Sequence, residues 1–439
     1  MEERATIPGS RTDKFRAFTA HDLPRLVESG RIPAEQMLPM RAVAAVLPFR
    51  TNAYVIDQLI DWSAVPDDPM FRLTFPQSDM LDSEDLHAVM DLLRRGAPPE
   101  QLQSVVHGIR IRLNPHPDGQ LDLNTPMYRG QRLDGVQHKY PETLLLFPRQ
   151  GQTCHAYCSY CFRWAQFVGE PDLRMATNDV EAVTGYLRDH PEIRNVLITG
   201  GDALVMSAAT LRHYVEALLT VESVEAIRLG TKSLSFWPYR YLTDRDADDL
   251  LRLIEQVADS GRHLALMAHF SHPRELQTDV VRAATQRIRS AGGVIRCQAP
   301  LIRGINDSAG AWATMWNEFV RLGAVPYYMF VERDTGPKDY FSVPLARGYE
   351  IFRDAFAQVS GLARTVRGPI MSATPGKVSV DGVAEIAGEK VFALRLVQAR
   401  SSQYVGRPFF AQYDPQAIWL SDLKPALGAT EFLPGLGHV

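Results

Sequence analysis

The stretch "CHAYCSYCF", residues 154–162, places three of the chain's four cysteines in the spacing C-x3-C-x2-C. Thiols clustered this way in a large chain point to metal or redox chemistry, because a reducing compartment disfavours a disulfide framework. Soft thiolates select zinc, copper(I) or iron-sulfur clusters. A structural zinc wants four closed nitrogen or sulfur ligands, and the nearby fourth donor is only His155, awkwardly next to Cys154. Three thiolates better suit a four-iron cluster in which the protein holds three irons and the fourth keeps an open position for a ligand. Cys297, alone inside an apolar run, reads as a core residue.

The loop must be placed by what precedes it. From "TLLLFP" (143–148) onward, apolar runs alternate with helical patterns: "NVLITGG", "EAIRLGTK", "HLALMAHFS", "GVIRCQAPLI" and "AVPYYMFVE". Six strands alternating with helices predict an α/β fold with a parallel sheet, as a partial barrel or a doubly wound sheet. The cysteines follow the first of these strands, at the end where parallel α/β folds carry chemistry. "TDVVRAATQRIRSAGG" predicts a helix opened by a capping Thr278 and stopped at Gly292-Gly293. Residues 1–137 are Pro-rich, with "SEDLHAVMDLLRRG" and "PPEQLQSVVHGIR" as short amphipathic helices, and form a helical N-terminal extension. The repeating core spans 138–343. Residues 344–439 form a C-terminal segment in which the Asp-Gly and Gly-Glu turns of "KVSVDGVAEIAGEKVFALRL" predict a hairpin.

A formal net charge of −4 with no local run of Lys and Arg supplies no field for nucleic-acid phosphates. The N-terminal "MEERATIPGSRTDKFRAF" lacks the apolar centre of a secretory signal, and no stretch approaches a membrane span, so a cytoplasmic enzyme of small molecules is expected.

The cysteine spacing, with Tyr160 and Phe162 flanking the last thiol, resembles the radical S-adenosylmethionine superfamily, and "TGGDAL" resembles its second motif. The resemblance implies that Cys154, Cys158 and Cys161 bind a [4Fe-4S] cluster whose open iron chelates S-adenosylmethionine and cleaves it to a 5′-deoxyadenosyl radical. It implies that Gly200, Gly201 and Asp202 contact the methionine amino group. Two glycines let backbone approach a ligand, and a carboxylate can accept from an ammonium.

Over roughly residues 65–390 the chain resembles lysine 2,3-aminomutase and its relatives, through "DDPMFRLTFP", "HKYPETLLL", "CFRW", "ITGGDALV", "AHFSHPREL", "QAPLIRGIND", "PYYMF", "YFSVPL" and "ATPGK". The implied fold is a partial (βα)6 TIM-like barrel of the radical S-adenosylmethionine type. The implied reaction moves an amino group from C2 to C3 of an α-amino acid with pyridoxal 5′-phosphate as second cofactor. Lys377 matches the lysine to which that cofactor attaches, a nucleophile that needs its amine unprotonated. As residues alone, Pro375-Gly376-Lys377 would equally pass as an ordinary turn, and this loop has fewer glycines than the family's. Lys139 and Tyr140 match an Arg-Tyr pair that holds the cofactor phosphate, with charge retained and the bidentate fork lost. Arg163 matches an arginine that binds the substrate carboxylate. Gln298 matches a glutamine near the cofactors. His269 and His272 also match, although packed histidines are the commoner explanation.

Two departures bear on specificity. Lysine-specific relatives hold the distal ammonium with two aspartates; alignment from "PYYMF" to "YFSVPL" puts Arg333 at the first, and the second falls near Ser372. A cation there repels lysine and attracts a carboxylate, so glutamate or another acidic amino acid is the expected substrate. Anchoring on Gly336 instead brings Glu332 to that position, beside Asp334. The family's interface zinc is not expected either, since no cysteine follows Cys297 and the helix position is Ala284; a homo-oligomer would be held by side-chain packing. The expected partners are an amino acid and an electron donor such as flavodoxin or ferredoxin. The competing reading is a radical enzyme without pyridoxal phosphate, or an aminomutase acting on a protein-bound lysine.

Overall fold

Each of the six apolar runs is short and bounded by Gly, Pro or a helix cap, and each forms a strand; most carry β-branched or aromatic residues, whereas His263–His269 is built on Leu, Ala and Met. The computed structural model describes residues 14–114, 122–169 and 175–436; the first thirteen residues of the charged N-terminal stretch lie outside them. The main sheet contains β1 (Val136–Tyr140), β2 (Thr143–Leu146), β3 (Asn195–Ile198), β4 (Ala226–Thr231), β5 (His263–His269), β6 (Val294–Leu301), β7 (Val325–Val331), β8 (Arg367–Ser372), β9 (Gly376–Ile386), β10 (Glu389–Ala399) and β11 (Pro408–Gln412). They lie side by side in chain order. β2 to β8 are parallel, and both ends of the sheet turn antiparallel, with β1 on β2 and β8 to β11 as successive ladders. The fold is thus α/β with a large mixed sheet.

Alternation along the strands divides the two faces. Ile227, Leu229, Ile295, Cys297 and Ala299 pack with the apolar sides of the covering helices in the largest core, where Cys297 is 2% exposed. Arg228, Arg296, Gln298 and His269 sit on the opposite, inner face, where they remain partly exposed. The helix expected after Thr278 runs Asp279–Ser290; the Thr278 hydroxyl accepts from the Val281 N–H, and Gly292 ends the segment at positive φ. No helix among the described residues is long and apolar enough to cross a membrane.

The N-terminal helices, including Met37–Val46, Ser83–Arg94 and Pro99–Leu113, build a second core. That core takes in Ala156, Tyr160 and Trp164 of the cysteine loop. A third core lies between β8 to β11 and the chain that follows. The C-terminal hairpin is present, but its turn is Ala387-Gly388, both at positive φ. Asp381-Gly382 instead forms a bulge within β9, because the partner strand offers ladder hydrogen bonds that a turn there would forfeit. The sequence reading missed β1, whose "VQHKY" is too polar to stand out as an apolar run. Side chains join the two ends of the sheet: Lys139 Nζ donates to the Ala373 carbonyl (2.5 Å), Gln398 Nε2 to Glu142 (2.6 Å) and Arg400 to Asn124 (2.7 Å).

Candidate active site

The cysteine loop leaves β2 and is strapped from both sides. On one side, the Gly201 N–H donates to the Gly151 carbonyl (2.9 Å) and the Asp202 N–H to the Thr153 carbonyl (2.8 Å). On the other, N-terminal residues accept from the loop: Arg50 O from Tyr157 N–H (2.8 Å) and Leu73 O from Ser159 N–H (2.9 Å). Asn52, fully buried, donates to the His155 and Phe236 carbonyls (3.2 and 3.0 Å). The two glycines serve this strap. A Cβ on Gly201 would lie 2.2 Å from the Thr153 oxygen, and Gly200 is held at φ +144°. Asp202 caps the following turn: its carboxylate accepts from the Leu204 N–H (2.8 Å), the Thr231 hydroxyl (2.7 Å) and the Lys232 N–H (2.7 Å). The carboxylate expected to meet an ammonium is engaged by the protein's own donors.

Cys154, Cys158 and Cys161 keep some accessible surface yet stand in dense protein surroundings. Burial pushes all three thiols up, Cys158 to about 12 and Cys161 to about 11, with Asp202 adding to the rise at Cys154. Metal coordination is what would draw thiolates from such a setting. Among the described residues no three His, Cys, Asp or Glu side chains converge where one ion could sit. A four-iron cluster asks for no such convergence, since each thiolate holds a different iron, and the loop's donor set fits it.

Beside the loop, Arg163 Nη1 donates to Thr199 Oγ1 (2.9 Å) and the Gly200 carbonyl (2.8 Å), with its guanidinium over the Phe147 and Phe162 rings. Burial lowers its pKa to about 10, opposed by nearby Cys161 and Cys154. At the ends of β4 to β6, Lys232 pairs with fully buried Glu275 (2.7 Å) and sits over the Phe236 ring, while Gln298 is hydrogen-bonded to His269 (2.9 Å). Burial, with Lys232 and Arg163 nearby, keeps His269 neutral, its pKa near 3. His272 caps the turn Pro273–Leu276 by accepting from the Arg274 N–H, so its place is structural.

Lys377 is the second residue of β9, in register with Ser372 of β8. Its amine lies over the rings of Tyr328 (4.8 Å) and Tyr140 (5.5 Å) and donates to Gln398 Oε1 at 2.6 Å. Burial, then the charges of Arg228 and Arg367, lower it to about 7. Lys139 falls to about 7 as well, through burial and the charges of Arg400, Arg333 and Lys377. Tyr140 is pushed up by burial.

The "ERD" stretch divides. Glu332 is 7% exposed, and burial drives its carboxyl well above the usual range, opposed by the charge of Arg333. Arg333 lies between the rings of Phe162 and Trp419, 5.7 Å from each, and interacts with Lys139, Tyr140 and Arg163. Asp334 approaches it only to 3.8 Å. Nε of Arg333 and Nε of Arg228 are buried without a hydrogen-bond acceptor. Unpaired buried guanidinium N–H groups cost about 1–3 kcal/mol each, so each of these two arginines favours an anionic group such as a phosphate or carboxylate beside it. Sequence reasoning missed Glu142, Lys232, Tyr328, Gln398 and Trp419; each is an ordinary residue locally, and only the curl of the sheet brings them to the site.

No family model matches the chain. It is 31% identical over 392 residues to a protein of Aquifex aeolicus (strain VF5) named "Putative L-lysine 2,3-aminomutase", covering 89% of this chain and 91% of that one. It is 28% identical to the L-lysine 2,3-aminomutase of Clostridium subterminale and 27% identical to the glutamate 2,3-aminomutase of Clostridioides difficile (strain 630). Those two matches cover 55% and 52% of this chain and about half the length of each relative, 55% and 51%. Among solved structures, Streptococcus suis SuiB bound to S-adenosylmethionine matches at TM-score 0.37 and 12% identity over 63% of this chain and 58% of that one. A radical SAM methyltransferase from Sphaerobacter thermophilus matches at TM-score 0.38 and 16% identity over 82% and 95%. Aminomutases are isomerases, and with similarity running through nine-tenths of its length the chain belongs to the radical S-adenosylmethionine, lysine 2,3-aminomutase family.

Proposed function

We propose that this chain is a radical S-adenosylmethionine and pyridoxal-phosphate-dependent 2,3-aminomutase whose substrate is an acidic α-amino acid such as glutamate. β2 to β7 with their helices would form the partial barrel, residues 138–343, with 1–137 as a helical extension and 344–439 carrying the cofactor lysine. One observation carries the reading. A chain of mutually interacting side chains runs from Cys154 and Cys161 through Arg163 and Arg333 to Lys139 and Lys377. A thiolate cluster site and a buried lysine with its pKa lowered to about 7 thus stand at the two ends of one run of interacting charged side chains.

Within it, Cys154, Cys158 and Cys161 would hold the [4Fe-4S] cluster, and Gly200, Gly201 and Gln298 would flank S-adenosylmethionine, with Asp202 fixing the loop beneath. Lys377 would attach pyridoxal phosphate, and Lys139, Tyr140 and Arg228, whose Nε lacks an acceptor, would face its phosphate. When bound, these groups supply the radical that takes hydrogen from the substrate's β-carbon and the ring that carries the migrating nitrogen. The protein's part is orientation. Arg163 would fork onto the α-carboxylate, and Arg333, held between two aromatic rings, would take the side-chain carboxylate. Those two arginines interact, so two carboxylates offset a repulsion that a lysine substrate would leave standing. Tyr328 and Tyr140 shield Lys377 from water. An electron donor such as flavodoxin or ferredoxin would reduce the cluster in the cytoplasm, and any homo-oligomer would be joined by packed side chains.

The test is an anaerobic screen of amino acids with reconstituted enzyme, S-adenosylmethionine and pyridoxal phosphate, reading β-amino acids by mass. β-Glutamate or another acidic product supports the reading. Product from lysine alone overturns the role of Arg333. Radical cleavage with an unchanged pyridoxal absorbance in Lys377→Ala would favour an enzyme without that cofactor.

A further inference from the structure

We propose that Gln398 is a positioning residue for Lys377: its amide, fixed in one orientation by Glu142, holds the lysine amine at hydrogen-bond distance and separates it from that carboxylate. This rests on the reading of Lys377 as the cofactor's attachment point. The geometry is a three-membered relay across the two ends of the sheet. Lys377 Nζ donates to Gln398 Oε1 at 2.6 Å, and Gln398 Nε2 donates to Glu142 Oε1 at 2.6 Å. Lys377 and Gln398 are register partners on β9 and β10, whereas Glu142 follows β1 at the far edge.

A glutamine amide can face either way, but a carboxylate only accepts, so Glu142 obliges the NH2 to face it and the carbonyl to face Lys377. The carbonyl oxygen, which carries no net charge, accepts from an amine as well as from an ammonium, and so holds Lys377 while favouring the charged form far less than a carboxylate would. A carboxylate in the same place would select the ammonium, which cannot attack an aldehyde. The charged and titratable groups around Lys377 make that separation matter. Arg228 from β4 and Arg367 from β8 disfavour its proton; Glu142 favours it; Lys139 interacts with it unfavourably; Tyr140 from β1 and Tyr328 from β7 face it with their rings. Glu142 is the only anion in this set, and Gln398 stands between it and the amine.

The measurement is competitive acetylation of Lys377 in cofactor-free protein as a function of pH, read by peptide mass, together with borohydride trapping of pyridoxal phosphate at Lys377. Wild type should titrate near pH 7. Gln398→Glu should raise the midpoint by at least about one pH unit, roughly a tenfold smaller free-amine fraction at neutrality, and slow trapping about tenfold. Glu142→Gln, which removes the carboxylate and keeps the shape, should not raise the midpoint. An unchanged midpoint in Gln398→Glu, or an equal rise in Glu142→Gln, overturns the proposal. Should Gln398→Glu not fold, the Glu142→Gln midpoint decides it alone. If wild type traps no pyridoxal at Lys377 while the titration shifts as stated, the cofactor reading fails and the relay stands.

Discussion

At the residue scale, charge placed in a buried cavity decides what can bind. Arg333 has no acceptor for its Nε, and Asp334 reaches it only at 3.8 Å, so it is available to an anionic ligand. Arg333→Ala should lower kcat/KM for an acidic substrate about 30- to 100-fold, the loss of a charge-assisted pair worth about 2–3 kcal/mol, with radical cleavage of S-adenosylmethionine retained; comparing the two rates checks this. Lys377 gives a pH dependence of defined sign. Its pKa is lowered to about 7 by burial first, so the free amine is scarce below that pH and dominant above it. The rate of pyridoxal attachment should climb about tenfold per pH unit up to about pH 7 and then level off, as stopped-flow absorbance would show. Cys154, Cys158 and Cys161 could be named from spacing, because clustered thiols are rare in a chain with four cysteines, whereas Arg163 and Lys377 could be named only through the family resemblance. Gln398 and Glu142 could not, because a glutamine or glutamate near a strand has many ordinary uses.

At the element scale, the cysteine loop is positioned by its neighbours rather than by its own structure. It lies between the end of β3 and the N-terminal helices, and both sides must fit. Gly201→Ala would drive a methyl group into the Thr153 backbone, and since backbone cannot swing away, the strap must break. Iron and sulfide content after reconstitution should fall several-fold, with far-UV circular dichroism nearly unchanged. Asn52→Ala tests the opposite side. It leaves the His155 and Phe236 carbonyls and the Val55 N–H without their partner, at about 1–3 kcal/mol. The denaturation midpoint should drop accordingly, and cluster incorporation with it. The Gly-Gly-Asp signal was legible in the sequence, and the fold adds a task that the sequence did not show: Gly201 admits the cysteine loop's backbone, and Asp202 accepts from protein donors of its own.

At the scale of the whole molecule, the sheet brings its first strand to its last hairpin without a backbone ladder between them. Lys139, Gln398 and Arg400 span that gap. Arg400 also donates to the Thr374 and Leu123 carbonyls, at 2.9 and 3.3 Å. Arg400→Ala should therefore lower Tm by a few degrees, on the order of 1–2 kcal/mol for a half-exposed side chain, and change the Lys139 environment as well. Calorimetry of the cofactor-free protein would measure it.

The sequence by itself determined the six parallel strands and the order of their helices, since alternating apolar runs and caps are local signals read over a few residues. It also singled out the three clustered thiols by their spacing, while Lys377 was marked only by the family resemblance. The polar strand β1, the continuation of one sheet into the C-terminal hairpin and the relay from Lys377 to Glu142 were decided only by tertiary structure. Residues more than two hundred positions apart meet there, and their contact depends on how far the whole sheet curls, a quantity that no local pattern encodes. The same holds for "ERD": its composition left open which charge would meet a ligand, and only the fold brings Arg333 between the rings of Phe162 and Trp419.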